Sequence, residues 1–229
     1  MNHSIVGKIN YVEKGSRIDL AYSIHQAFRF VEDSKVEHGE AVRWMGRYIH
    51  GTIGKGMILQ KKSDLDADFA GNWDPKESMH KDTARSRHGF IIKYAGCPIT
   101  WKSQLQTEIS LSSTESEYTG MSYTLRESIP IMQMLKELKS YGFIKGKTNG
   151  DIYCKVFEDN SGAIEMARHH KYRPRTKHLN VKLHHFRDYV SRGEIVVLPI
   201  STKYQQADLL TKGLNKELTE RHRHSIMGW

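Results

Sequence analysis

The stretch Leu65-Asp66-Ala67-Asp68-Phe69-Ala70-Gly71 places two carboxylates within a run of small residues. Asp66 stands where the pattern predicts that a strand ends and a turn begins, so its carboxylate would point into an open site. A single aspartate is a solvated surface charge roughly nine times in ten. Three further acids, Glu117, Asp159 and Asp208, lie far away in the sequence. We expect the fold to gather these four carboxylates around divalent metal.

The composition favours a polyanionic partner. The chain has 229 residues, enough for one good-sized domain or a domain plus a fragment. Lysine and arginine number 35 against 26 acidic residues, a net charge of +9. A basic domain attracts polyanions, of which nucleic acid is the commonest, although a basic chain can also merely stay soluble.

The sequence predicts an intracellular protein that is not secreted. No apolar run is long enough to span a bilayer, and the N-terminus has no basic region followed by an apolar core. Cys97 and Cys154 are far apart and neither belongs to a CxxC pair, which argues against a disulfide framework and against a cysteine zinc site. Two unpaired cysteines fit a reducing compartment.

Residues 1–60 have helical patterns. Ser16-Arg17-Ile18-Asp19 fits a capping box, and apolar residues recur at helical spacing from Leu20 to Val31. A second helix is predicted over residues 37–49. Two helices this short bury little surface alone. We expect either the tail of a larger domain or a subdomain packed on the C-terminal part of the chain.

The period changes after Gly89 and predicts a mixed α/β domain. Strands are predicted over residues 90–94, 99–102 and 108–111, followed by a long helix from Ser112 that Pro130 should kink or split. Further along, strands over 152–158 and 195–200 alternate with helices over 163–167, 179–190 and 204–214. This order is typical of a mixed sheet covered by helices.

The four carboxylates suit a two-metal phosphodiesterase. The pattern places Asp66 and Asp159 at the carboxyl ends of strands, where sites form in open α/β sheets. Glu117 lies in the first turn of the long helix and Asp208 in the last helix. Carboxylate oxygens are hard ligands that hold Mg²⁺, and a metal pair can activate a water and stabilise the leaving oxygen.

Six motifs follow one another along nearly the whole chain, at residues 66–71, 96–103, 111–118, 158–163, 175–178 and 206–212. In this order they resemble the C-terminal part of the polyprotein of copia-type LTR retrotransposons, namely the ribonuclease H domain behind the end of the reverse transcriptase. The resemblance implies a ribonuclease H-like fold, a five-stranded mixed sheet flanked by helices with a short N-terminal helical segment. It divides the chain into a helical reverse transcriptase remnant, 1–60, and a ribonuclease H-like domain, 61–229.

The resemblance also implies a catalytic site of four acids that bind two Mg²⁺ ions, with Mn²⁺ as an alternative. Carried over position by position, the site consists of Asp66, Glu117, Asp159 and Asp208. Asp68 and Glu115 rank second. From the residues alone, Glu117 can equally be the capping-box partner of Thr114.

Related enzymes cut RNA within RNA–DNA hybrids during reverse transcription, which makes the hybrid the expected substrate. The other expected partner is the upstream reverse transcriptase domain of a full-length polyprotein, and no membrane is expected. The resemblance implies the cytoplasm, in a virus-like particle, or the nucleus. The weak candidates for phosphate contacts are basic residues near the motifs: Arg85, Arg87, Lys102, Arg173, Arg175 and Lys177.

The residues just before Asp66 support an alternative. Lys61, Lys62 and Asp64 are poor residues for a central strand, and the apolar strand that the family places there is shortened. The alternative is therefore a catalytically inactive remnant of a retrotransposon polyprotein that binds nucleic acid without cutting it.

Overall fold

A computed structural model describes residues 3–59, 67–72, 86–107, 110, 112–144, 152–168 and 185–229, with the backbone alone for 67–72. The described residues form eight helices and two 3₁₀ turns. Their bounds are α1 His3–Ser16, α2 Ala21–Phe28, α3 Val36–Gly51, α4 Ser113–Ser140, α5 Ser161–Arg168, α6 Arg187–Ser191, α7 Asp208–Thr211, α8 Lys216–Met227, and the 3₁₀ turns Ile18–Leu20 and Thr202–Tyr204. Within these ranges no helix is both long and apolar enough to cross a membrane.

The strands form one sheet. Their bounds are β1 Ala67–Asn72, β2 Arg87–Tyr94, β3 Cys97–Leu105, β4 Cys154–Glu158 and β5 Ile195–Pro199. The order across the sheet is β3-β2-β1-β4-β5. β2 is antiparallel to β1 and β3, whereas β4 is parallel to β1 and β5. The mixed α/β class predicted from the sequence is confirmed.

β2 is buried on both faces because helices cover both sides of the sheet. Phe90 and Ile92 pack with Tyr118 of α4 in the larger core, whereas Ile91 lies on the opposite face with Leu210 of α7. This alternation follows from the two-residue period of a strand. The hairpin between β2 and β3 is closed by Ala95 and Gly96, whose φ angles of 52° and 78° are those of a two-residue turn.

The N-terminal helices pack on the sheet. α1, α2 and α3 share a small core of their own that includes Val6, Ile24 and Met45. Ile18 and Ala21 instead join the core around Ile91. This packing agrees with the second of the two expectations for residues 1–60, a subdomain packed on the C-terminal part of the chain, while their assignment to a reverse transcriptase stays a prediction.

The segment after α3 and the chain's last residues are also joined. The Ile58 amide donates to the Met227 carbonyl over 2.9 Å. Gly228 lies so close that a Cβ there would be 2.9 Å from Cβ of Ile58. Cationic groups from three segments lie 4.4–5.5 Å from the centre of the Trp229 ring system: Arg17, Lys55 and Arg223.

The predicted capping box at residues 16–19 is wrong. Arg17 precedes the 3₁₀ turn without a side-chain cap. Its guanidinium is buried, and Asp19 accepts hydrogen bonds from it at 2.9–3.0 Å. Tyr48 donates a further hydrogen bond to Asp19 at 2.6 Å. A buried guanidinium without a partner costs more free energy than a helix end without a cap. The Asp19 carboxylate therefore pairs with Arg17.

Of the kink or split predicted at Pro130, the split is wrong, because α4 continues through it from Ser113 to Ser140, and the kink stays a prediction. Pro130 and Arg126, four residues earlier, are both exposed. Water can therefore solvate the carbonyl that loses its intrahelical donor.

The predicted helix over residues 204–214 is broken into a 3₁₀ turn and the short α7. Gln205 between them is buried and extended, and Nε2 of its side chain donates to the Phe157 carbonyl over 3.3 Å. This side-chain bond ties the break in the helix to β4. α8, capped by Asn215 at its N-terminus, was missed by the sequence reasoning.

Two predicted elements lie largely outside the described residues, namely the strand over 108–111 and the first part of the helix over 179–190, of which the structure describes α6. The turn expected directly after Asp66 is wrong, since Ala67 begins β1.

We predict that Gly89→Ala destabilises the fold. A Cβ on Gly89 would lie 2.7 Å from Cβ of Leu210 and 2.8 Å from Cγ2 of Thr211, so α7 must move away from β2. Overpacking of this kind costs about 1–3 kcal/mol. Urea unfolding measures the difference.

The matched control is Gly46→Ala. Gly46 is an exposed position within α3 with no atom within 4 Å of the added Cβ. This change should stabilise the protein by about 0.5–1 kcal/mol. Equal unfolding free energies for Gly89→Ala and the wild type would contradict the close packing of α7.

Candidate active site

Asp159 lies directly after β4, at the strand end where the sequence placed it. Its Oδ2 accepts a hydrogen bond from the Thr202 hydroxyl at 2.8 Å. The Ile200 amide donates to the Glu158 carbonyl over 3.0 Å, which holds the residues after β5 beside the same strand end. The carboxyl ends of the parallel strands β4 and β5 thus form one edge.

Asp208, the first residue of α7, is 3% exposed. Its Oδ2 lies 2.5 Å from Nζ of Lys212. Its Oδ1 is buried and has no hydrogen-bond partner among the residues that the structure describes. Burial raises the pKa of this carboxyl to about 6; Lys212 opposes the shift, and the charge of Asp159 adds to it. Asp159 and Asp208 therefore interact at one edge of the sheet.

The position of α7 depends on its contact with the sheet. Gly89 lets Leu210 approach β2 closely because it has no side chain. The Ser103 hydroxyl of β3 donates to the Leu210 carbonyl over 2.6 Å. These contacts fix the helix that carries Asp208 against the face opposite α4.

Glu158 is a buried acid that the sequence reasoning missed as a site residue. It is 1% exposed, and its Oε1 accepts from the Asn160 amide at 3.1 Å. Burial raises its pKa to about 8, and the nearby charges of Asp159 and Asp208 contribute to the rise. Its spacing could have predicted this burial. Glu158 is two residues from buried Val156 and therefore faces the same side of the sheet.

Glu117 lies in α4 and is 7% exposed. The capping-box alternative for it is wrong, since Ser112 is the N-cap and accepts from the Glu115 amide at 3.1 Å. Thr114 instead donates to Oδ1 of Asn160 over 3.3 Å. This bond places the start of α4, and with it Glu115 and Glu117, near the end of β4.

Asp66 lies outside the described residues. The neighbouring Asp68 is in β1, where its backbone pairs with Phe157 of β4. Asp68 is therefore two residues short of the level of Asp159, about 7 Å along the strand direction. Of Asp66 and Asp68, the structure therefore describes only Asp68, and of that residue only the backbone.

The basic residues divide into three groups. Arg87 is buried, with Nη1 3.0 Å from the Ser103 hydroxyl and the guanidinium over the Tyr22 ring, so we remove it from the candidate phosphate contacts. Lys102 is 44% exposed and 4.0 Å from Glu127. The remaining four candidates lie outside the described residues: Arg85, Arg173, Arg175 and Lys177.

The acidic edge fits a cation in part. Burial is the main cause of the raised pKa values of Asp208 and Glu158, and a cation beside these carboxyls would lower both. Within the described ranges, however, no group of three or more histidine, cysteine, aspartate or glutamate side chains is placed to hold a metal ion. A complete metal site needs a further ligand from outside these ranges, where Asp66 lies.

Comparison with known proteins gives long matches. A retrovirus-related Pol polyprotein from transposon TNT 1-94 of Nicotiana tabacum is 33% identical over 214 residues, 91% of this chain. A Pol polyprotein from transposon RE1 of Arabidopsis thaliana is 33% identical over 218 residues, 93% of the chain. The chain spans only 15% and 14% of these relatives.

A third relative has a different name. The secreted RxLR effector protein 161 of Plasmopara viticola is 30% identical over 132 residues, which cover 55% of this chain and 87% of that protein. No family model matches the chain, and no solved structure matches it.

We predict that Asp208→Asn flattens the pH dependence of stability. The folded protein binds this proton with a pKa of about 6 against an ordinary value of 3.8. The stabilisation from the proton is complete at about pH 4 and is lost as the pH rises through about 6, at a cost of about 3 kcal/mol. In EDTA, the wild-type free energy of unfolding should fall by about 2–3 kcal/mol relative to the variant between about pH 4 and 7.

Asp33→Asn is the control, because Asp33 is exposed. Its urea-unfolding free energies should run parallel to those of the wild type across the pH range. A parallel course for Asp208→Asn would show that the carboxyl is not buried as the structure has it.

Proposed function

Because this chain belongs to the retrovirus-related Pol polyproteins of copia-type transposons, we propose that it is their ribonuclease H domain. It cleaves RNA endonucleolytically within RNA–DNA hybrids during reverse transcription. Its cofactor is a pair of Mg²⁺ ions, and Mn²⁺ can replace them. The upstream reverse transcriptase of a full-length polyprotein is its partner.

The observation that carries the proposal is the pairing of Asp159 and Asp208 at one sheet edge. One acid follows a central parallel strand and the other begins a helix packed on the sheet. Burial and mutual repulsion raise the pKa of Asp208, which a bound cation would reverse. Asp159 is half-buried beside the buried Asp208, and a carboxyl with a raised pKa next to a second acid is typical of a functional site.

We assign Asp66 and Glu117 as the other two ligands. Glu117 is supported by its burial in α4, whose start is tied to Asn160 beside Asp159. Asp66 is assigned from its motif alone, because β1 begins only at Ala67 and its register with β4 brings Asp68, rather than the start of the strand, towards the level of Asp159. When bound, the metal pair activates the attacking water and stabilises the leaving oxygen, so no side-chain base is required.

The protein's own residues would hold the substrate and keep the acids in place. Thr202 fixes the Asp159 carboxylate, and Lys212 balances the charge of Asp208. Lys102 is exposed and available to a phosphate. Discrimination of the RNA strand requires contacts to 2′-hydroxyl groups.

A second candidate function is a remnant that binds nucleic acid without cutting it. Two observations favour it: the absence of a three-ligand group within the described ranges, and the ion pair by which Lys212 neutralises Asp208 without metal. Such a remnant would bind the hybrid in EDTA and in Mg²⁺ alike.

We predict that Asp159→Asn abolishes hybrid cleavage. Loss of a residue that only hydrogen-bonds to a metal ligand lowers metal affinity or activity about 10–100-fold. Loss of a ligand itself should therefore lower the cleavage rate at least about a hundredfold. Release of labelled fragments from an RNA–DNA hybrid in Mg²⁺ measures the rate, with Asp33→Asn as the matched control. Cleavage that survives in Asp159→Asn would refute the site. A wild type that binds the hybrid but does not cut it would support the remnant instead.

We further predict that Mg²⁺ stabilises the fold through these acids. At about 100 times its dissociation constant, a ligand of the folded state adds about 2.7 kcal/mol. Thermal unfolding with and without Mg²⁺ should show this gain for the wild type and for Asp33→Asn. Asp208→Asn should lose most of it, and an undiminished gain would place the ion elsewhere.

A further inference from the structure

A second concave surface lies at the other end of β4 from Asp159. It is formed by the end of α4, the residues that lead into β4 and the turn before β5, and its volume is about 570 Å³. Small-ligand sites have volumes of roughly 300–1,000 Å³. β4 has five residues, so about 17 Å of strand separates this cleft from the acidic edge. The cleft is therefore a separate site.

Positive charge predominates in the cleft. Among the described residues that line it, Lys136, Lys139 and Arg192 are basic and Glu194 is the one acid. Glu194 accepts a hydrogen bond from Nε of Arg192 at 2.6 Å and forms an ion pair with Lys136. Glu194 thus holds two of the three cations together. A guanidinium has five donors, more than this contact uses.

Arg192 is also held from a second side. Its guanidinium carbon lies 4.7 Å from the ring centre of Tyr189. The side chain stays 54% exposed, and that of Lys136 stays 39% exposed. Both cations are therefore oriented by neighbours yet accessible to an anion, which reduces the entropy lost when a phosphate binds.

An aromatic ring lies among these cations. Tyr153 lines the cleft and is 42% exposed. Tyr141 and Phe143, 75% and 77% exposed, directly follow α4 where it borders the cleft. Exposed rings interleaved with cations are what proteins use to bind single-stranded nucleic acid, since the rings stack on bases and the cations contact phosphates. A base inside a duplex has both faces covered and cannot stack on such a ring.

We propose that this cleft binds an unpaired stretch of nucleic acid, with one base stacked on Tyr153 and phosphates held by Lys136, Lys139 and Arg192. The binding needs no metal and does not depend on hydrolysis, so it goes beyond the proposed function. An acidic peptide would use the cations but would not need the ring.

The test is fluorescence anisotropy of a labelled oligouridylate with the full chain in EDTA. Tyr153→Ala should weaken binding at least about fivefold, because base stacking is lost. Tyr153→Phe keeps the ring and should bind within about twofold of the wild type. Lys139→Ala should reduce the slope of log K against log salt by about 0.7.

The controls are Tyr11→Ala and Lys216→Ala, whose side chains are exposed elsewhere, on α1 and α8. Both should bind as the wild type does. Matching thermal unfolding of Tyr153→Ala and Tyr153→Phe shows that the fold is kept. Mg²⁺ should still raise the thermal stability of Tyr153→Ala, and this variant should cut a hybrid as fast as the wild type does. These two results would separate this site from the acidic edge.

Four results would overturn the proposal. The first is that the wild type does not bind oligouridylate, and the second is that Tyr153→Ala binds it as tightly as the wild type. The third is that Asp159→Asn loses binding while the cleft variants keep it. The fourth is that inorganic phosphate or oligoglutamate competes as well as unlabelled oligouridylate does. The last result would identify a simple anion site or an acidic protein partner.

Discussion

The contact between α7 and Gly89 determines where the acids of this protein meet. Leu210 reaches the backbone of β2 only because no side chain intervenes, and Asp208 is then carried to the sheet edge. Ionised Asp208 costs about 3 kcal/mol in this position. Burial of Leu209 and Leu210 contributes roughly 1.5–3 kcal/mol each, which together is at least as large as this cost. The apolar contact therefore holds the charge in place.

Much of the sheet was predictable because its signals are local. The apolar run from Phe90 to Ile92 and the strand that ends before Asp159 each correspond to described elements. The failures involve distant partners. Asp19 pairs with Arg17 rather than capping a helix, and Gln205 bonds to β4 rather than continuing one. No pattern within a short window contains those competing partners.

The acidic edge was predictable only in part, because its motifs are local in the sequence whereas its burial depends on distant segments. The positions of Asp159 and Asp208 followed from the motifs, but neither the depth at which Asp208 is buried nor the buried Glu158 beside them did. Burial depends on how α7 and the residues after β5 fold over the edge. Likewise Arg87 looked like a surface cation and is covered by Ser103 and Tyr22. Charge in a sequence shows what a residue can bind, and packing decides whether a ligand can reach it.

The bond between Ile58 and Met227 joins the segment after α3 to the chain's last residues, and Trp229 lies among Arg17 and Lys55 from the N-terminal part and Arg223 of α8. Ile18 and Ala21 complete the core beneath them. A backbone nick between the N-terminal helices and the sheet would therefore leave two fragments that stay associated. The two pieces, produced separately, would be expected to complement each other, so proteolytic processing of a polyprotein at this point would not release the helices.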